Sequence, residues 1–143
     1  MDTLEWTKNL STTDALQPTQ GRLVPYLRLT KGSLTSEDFR SWFREDFFFG
    51  ADWAPSSFGH ETSIESCHVD MTVSINGVAF GAKNLQLTHG QNRRRSNNTA
   101  NTWIHWPTDI QTFLKDNDTT GHAMTLTRKN DGSFELKIQA ANA

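Results

Sequence analysis

The sequence predicts a mainly β protein, an open and mostly antiparallel barrel (a pseudobarrel) of about seven strands with two short helices in its connections. Three observations carry this. From Glu65 to Ile75 the alternation is nearly perfect: Cys67, Val69, Met71, Val73 and Ile75 point one way, and Ser66, His68, Asp70, Thr72 and Ser74 the other, the pattern of a strand with one wet face. Asn76-Gly77 follows at once, the pair that best tolerates positive φ at both centres of a two-residue hairpin turn. Helical spacing occurs in only two short stretches, each in a separate connection.

Residues 1–21 are polar, with Leu4, Trp6, Leu10 and Leu16 as isolated apolar anchors, and read as a leader or linker. The folded unit is expected over 22–139, with 140–143 as a tail. Leu23 to Thr30 reads as a strand whose Pro25 suits an edge, and Lys31-Gly32-Ser33 turns the chain. Thr35-x-x-Asp38 approximates a capping box before Phe39, Trp42, Phe43 and Phe47, which share one helical face, so a helix is expected over 36–48. The run Phe47-Phe48-Phe49 reads as core material. Gly50 to His60 reads as a loop.

After the Asn76-Gly77 turn the chain returns through Val78 to Phe80, and Lys83 to Thr88 forms a further strand. Thr102 to Trp106 is the next, Pro107 suits a first helical position, and Ile110, Phe113 and Leu114 mark a second helix. His122–Arg128, a turn at Asn130-Asp131-Gly132, and Ser133–Ile138 make a closing hairpin.

Charge points to a function. The chain has a net charge of −2, yet no acidic residue lies between Asp70 and Asp109. The cations of that stretch, Lys83, Arg93, Arg94 and Arg95, leave the rest of the chain at −6. The segment Gln91-Asn92-Arg93-Arg94-Arg95-Ser96-Asn97-Asn98 is therefore a basic tip on an acidic body. Guanidinium and carboxamide groups match the edges of guanine and adenine in a major groove, one spanning two acceptors, the other pairing a donor with an acceptor. Neighbours in an extended chain alternate, so one parity (Arg93, Arg95, Asn97) would face base edges while the other (Asn92, Arg94, Asn98) meets phosphates, or the reverse. Arg28 and Lys31, with hydroxyls of Thr30, Ser33 and Thr35, form a second basic region after the first strand. Two such arms would grip one groove.

Other chemistry finds no pattern. The histidines His60, His68, His89, His105 and His122 show no metal-ligand or nuclease spacing, and no nucleophile elbow or phosphate-cradling glycine loop occurs, so no catalytic residue, metal or cofactor is expected. His68 is expected to face solvent, His105 to be packed and hydrogen-bonded, and Cys67 to be an inert buried thiol. The single cysteine excludes an internal disulfide, and no apolar run approaches the ~20 residues of a membrane span, which fits a cytoplasmic protein. The rival reading is a non-catalytic β-barrel module binding carbohydrate or another small ligand on Trp53, Trp103 and Trp106, or a protein-interaction domain whose basic tip meets an acidic partner.

The order of elements resembles the B-three DNA-binding pseudobarrel of plant transcription factors and the related recognition domains of prokaryotic type II restriction endonucleases. The likeness rests on Leu34-Thr35-Ser36-Glu37-Asp38, on Gly90 to Arg95 leading to Trp103-Ile104-His105-Trp106-Pro107 and a short helix, and on the hairpin from Gly121 to Ile138. Val24 to Thr30 also looks like the first strand of the C-terminal part of phospholipase-D-like restriction endonucleases, whose His-x-Lys nuclease signature is absent here. The resemblance implies a non-enzymatic, sequence-specific module for double-stranded DNA, working with an attached or separate nuclease domain, with Arg28, Lys31, Ser33 and Gln91 to Asn98 as contacts.

Overall fold

The computed structural model describes residues 3–17, 25–29, 33, 39–58, 61–93 and 99–140. Among these, eight strands form one curled sheet, an open half-barrel: β1 (Leu4–Asn9), β2 (Tyr26–Arg28), β3 (Ala54–Phe58), β4 (Glu61–Ile75), β5 (Val78–Arg93), β6 (Thr99–His105), β7 (Ala123–Arg128) and β8 (Phe134–Gln139). The order across the sheet is β1-β7-β8-β4-β5-β6-β2, with β3 added alongside β4. All pairings are antiparallel except β4 with β8. The two edge strands approach one another across the opening, where the Lys8 ammonium donates to the Arg28 carbonyl at 3.4 Å and the Thr7 N–H to Ser33 Oγ at 3.1 Å.

The β4–β5 hairpin is the spine. Its alternation is as expected, with Cys67, Met71, Val73 and Ile75 buried and His68, Asp70 and Thr72 exposed. Asn76 and Gly77 both take positive φ, 49° and 82°, closing the two-residue turn between Ile75 and Val78. Val78 to Phe80 and the strand from Lys83 are one continuous element, interrupted only by a bulge where Val73 pairs Gly81 and Ser74 pairs Ala79. Gly81 takes φ 73°, which a side chain would disfavour.

Three expectations are revised. The leader is part of the sheet: β1 pairs along β7 from Leu4↔Arg128 to Asn9↔Ala123, and Trp6, Leu10, Ala15 and Leu16 are buried. Its scattered anchors are the alternate inward positions of an edge strand and of the turn that follows. The loop of 50–60 contains β3, which pairs Ala54↔Ser66 through Ser56↔Ile64, since Pro55 is tolerated on a strand that is hydrogen-bonded on one side only. The first helix is α-helical only over α1 (Phe39–Trp42) and continues as a π-helical stretch over Phe43–Phe47, where the Phe48 N–H reaches back five residues to the Phe43 carbonyl at 2.9 Å. Its expected cap at Thr35 lies outside the described residues. The wider turn lets Phe43, Phe47 and Phe48 all enter the core, while Phe49 is left 64% exposed. Arg128 closes the end of this stretch by donating to the Phe47 carbonyl at 2.8 Å.

The second helix, α2 (Thr108–Asp116), buries Ile110 and Leu114 at i and i+4, with Pro107 extended just before it. Asp109 in its first turn pairs with Lys83 of β5. That ion pair occupies one of the four cations of the acid-free stretch. No helix among the described residues is long and apolar enough to cross a membrane.

Candidate nucleic-acid interface

The register decides where the two basic connections leave the sheet. β6 runs from Thr99 to His105 between β5 and β2. Antiparallel pairing sets Arg28 opposite Trp103, and the next residue, Leu29, donates its N–H to Thr102 and accepts from the Asn101 carboxamide at 3.1 Å. β2 therefore exits toward the Thr99 end of β6, the end at which Arg93 pairs Thr99 and the β5–β6 connection begins. β4 also starts at this end, with Ile64 opposite Gly90. Adjacent strands lie about 4.8 Å apart, so the roots of the two arms are neighbours on one rim.

On the outer face of this rim an aromatic pair receives both roots. Tyr26 and Trp103 are buried and stack with ring centroids 4.0 Å apart and planes within 5°. The Arg28 guanidinium lies 5.8 Å from the Tyr26 ring and 6.0 Å from the Trp103 ring. The Arg93 guanidinium lies 3.3 Å from the Trp103 ring centroid, close enough for a strong cation–π contact. Arg93 also donates to Thr88 Oγ1 at 2.9 Å and to the Thr88 carbonyl at 3.2 Å. Thr88 Oγ1 in turn sits 2.7 Å from His105 Nε2, so His105 is hydrogen-bonded as expected, though on the outer face and only half-buried.

Where the sequence suggests an arginine prong, Arg93 is thus 0% exposed. Gln91 and Ser33 are exposed, Arg28 is half-buried, and Asn92 is described in its backbone only. Lys31, Arg94, Arg95, Asn97 and Asn98 lie outside the described residues. Tyr26 and Thr88 are residues that sequence reasoning missed, and Trp103 it named as a carbohydrate-stacking surface and as part of the resemblance, not as a seat for the arginines. Each sits on a different strand, and no local spacing relates them.

The inner face of the same rim carries an ion pair. Glu65, opposite His89, receives a bidentate pair from Arg44, Nε to Oε1 at 3.1 Å and Nη2 to Oε2 at 3.0 Å. That hydrogen bonding holds its carboxyl below the usual carboxylate range. An unpaired carboxylate here would repel a phosphate backbone, and Arg44 cancels it. Arg44 also lies 4.7 Å from the ring of Trp53, which ties the segment before β3 to the π-helical stretch. Trp103 and Trp106, two of the three tryptophans named for carbohydrate stacking, are buried, and Trp53 is half-buried. Cys67 is buried, its thiol pushed up to about 12 by burial, which keeps it protonated and inert.

His89 is buried with Nδ1 2.7 Å from Thr102 Oγ1, and burial, reinforced by Arg44, lowers its pKa to about 4. The unfolded chain accepts a proton near pH 6.5 that the folded chain refuses until about pH 4. Stability is therefore full above pH 6.5 and declines as pH falls through this window, by on the order of 3 kcal/mol. Urea unfolding at pH 7 and pH 4.5 should show a smaller loss in His89→Gln than in the parent. Equal losses would refute the assignment.

Among the described residues no group of three His, Cys, Asp or Glu gathers as a metal site. The chain matches no protein-family model, no curated protein and no solved structure.

Proposed function

We propose that this chain is a double-stranded DNA recognition module that grips the major groove with the connections leaving β2 and β5. The observation that carries the reading is the shared exit: the connection that carries Lys31 and the one that carries Arg94 and Arg95, far apart in sequence, start from one rim of the half-barrel, at the ends of β2 and β5 on either side of β6. Charge supports it, because Arg94, Arg95 and Lys31 belong to these connections while Glu65 at the rim is neutralised by Arg44. A basic tip on an acidic body would also orient the approach to a polyanion. In this reading Arg94, Arg95, Asn97, Asn98 and Gln91 divide base edges and phosphates between them, and Arg28, Lys31 and Ser33 supply the second arm. The resemblance in element order extends the proposal to a restriction-endonuclease recognition module, with the cutting domain attached or separate.

The test is selection from a randomised duplex pool, followed by titration at two salt concentrations. A specific binder should enrich one short duplex and bind it at least about a thousandfold tighter than the pool, with affinity falling steeply in salt. No enrichment, and binding indifferent to salt, would remove the proposal.

A further inference from the structure

The acid-free stretch contains three successive arginines, but the structure treats the first of them differently from a ligand-binding side chain. Arg93 is wholly buried, its guanidinium carbon lies 3.3 Å from the Trp103 ring centroid, and it makes two hydrogen bonds to Thr88. The pairing skips residues at this point, from Gly90↔Asn101 to Arg93↔Thr99, so β5 bulges at the root of the arm. Gly90 is required for the fold-back. A Cβ there would lie 2.8 Å from Arg93 Cγ and 2.9 Å from Ile64 Cγ2, closer than packed atoms approach. The stem of Arg93 therefore crosses directly over the glycine. The plate on which it lands is the one that Arg28 leans on from β2.

We infer that Arg93 is a positioning residue for the β5–β6 connection. It locks the bulged root of that arm onto the Tyr26–Trp103 plate, beside the root of the other arm, and makes no contact with DNA itself. A planar cation suits this role, because it stacks on the indole while its edge donates to Thr88, which a lysine ammonium cannot do in one geometry. The connection then leaves the sheet from a fixed base at Arg93, beside Arg28 at the end of β2. This rests on the DNA-binding reading.

The experiment uses Arg93→Lys and Arg93→Ala in the full chain. Circular dichroism melts fix an assay temperature at which both are folded. Positioning predicts that both variants lose about tenfold or more in affinity for the selected duplex, and discriminate less against altered base pairs. The slope of log affinity against log salt should stay that of the parent. A phosphate contact predicts instead that lysine rescues binding and that alanine lowers the slope by about one. Either of those results would overturn the inference. Amide hydrogen exchange without DNA gives an independent readout, and covers the case in which alanine does not fold. In Arg93→Lys the amides of 90–93 and 99–103 should exchange about tenfold faster than in the parent, with β7 and β8 unchanged. Unchanged exchange at the root would also overturn it. Failure of the parent to bind any duplex would instead refute the DNA reading, leaving the exchange result to judge the lock.

Discussion

Replacing Arg94 and Arg95 together by alanine is expected to lower affinity for the selected duplex by about 30- to 20,000-fold, as two lost contacts of about 1–3 kcal/mol each would do. Lys83 is paired with Asp109 of α2, and Arg93 is spent on Trp103 and Thr88. The remaining charge of the acid-free stretch therefore belongs to Arg94 and Arg95. If one reads a base and the other a phosphate, the single variants should separate: one relaxes preference at a single base pair, and the other weakens all duplexes alike and lowers the salt slope by about one. The thermal midpoint of the double variant should match the parent. An unchanged affinity in a mobility-shift titration would count directly against the arm.

The largest expected stability effect is at Trp6. It is fully buried in the shared core, packed edge-on against Phe43 at 4.9 Å, and it pairs with Leu126 across β1 and β7. Trp6→Ala should cost about 3–5 kcal/mol, a large share of a total that for such a domain is about 5–15 kcal/mol. Differential scanning calorimetry should show the midpoint falling by about 10–20 °C. If residues 4–16 were only an appended leader, the midpoint would not move. The same variant should affect DNA binding through folding, since Trp6 itself lies in the core.

Local signals were legible in the sequence, and long-range ones were not. The alternation of 65–75 and the Asn76-Gly77 turn depend on neighbouring residues, and the structure reproduces both. Leu4 and Trp6 belong to a strand whose partner lies more than a hundred residues later, so nothing nearby announced it. β3 hid behind Pro55 and two serines, residues that an edge position accepts. The candidate site divides in the same way. Composition located the basic arm, but the burial of Arg93 depends on an indole carried by the next strand and on a glycine three residues back that leaves room for its stem. In the sequence Arg93 looks like its neighbours until the register sets it against Trp103.

The central claim is that one rim of the half-barrel, where β2 and β5 release their connections, is the surface that meets DNA. Chemical-shift mapping of the isotope-labelled chain titrated with the selected duplex tests it most directly. The account predicts perturbations concentrated at residues 28–38 and 90–101, with α2 and the turn at Asn130-Asp131-Gly132 silent. Perturbations centred on α2 or on that turn, or none at saturating duplex, would contradict it.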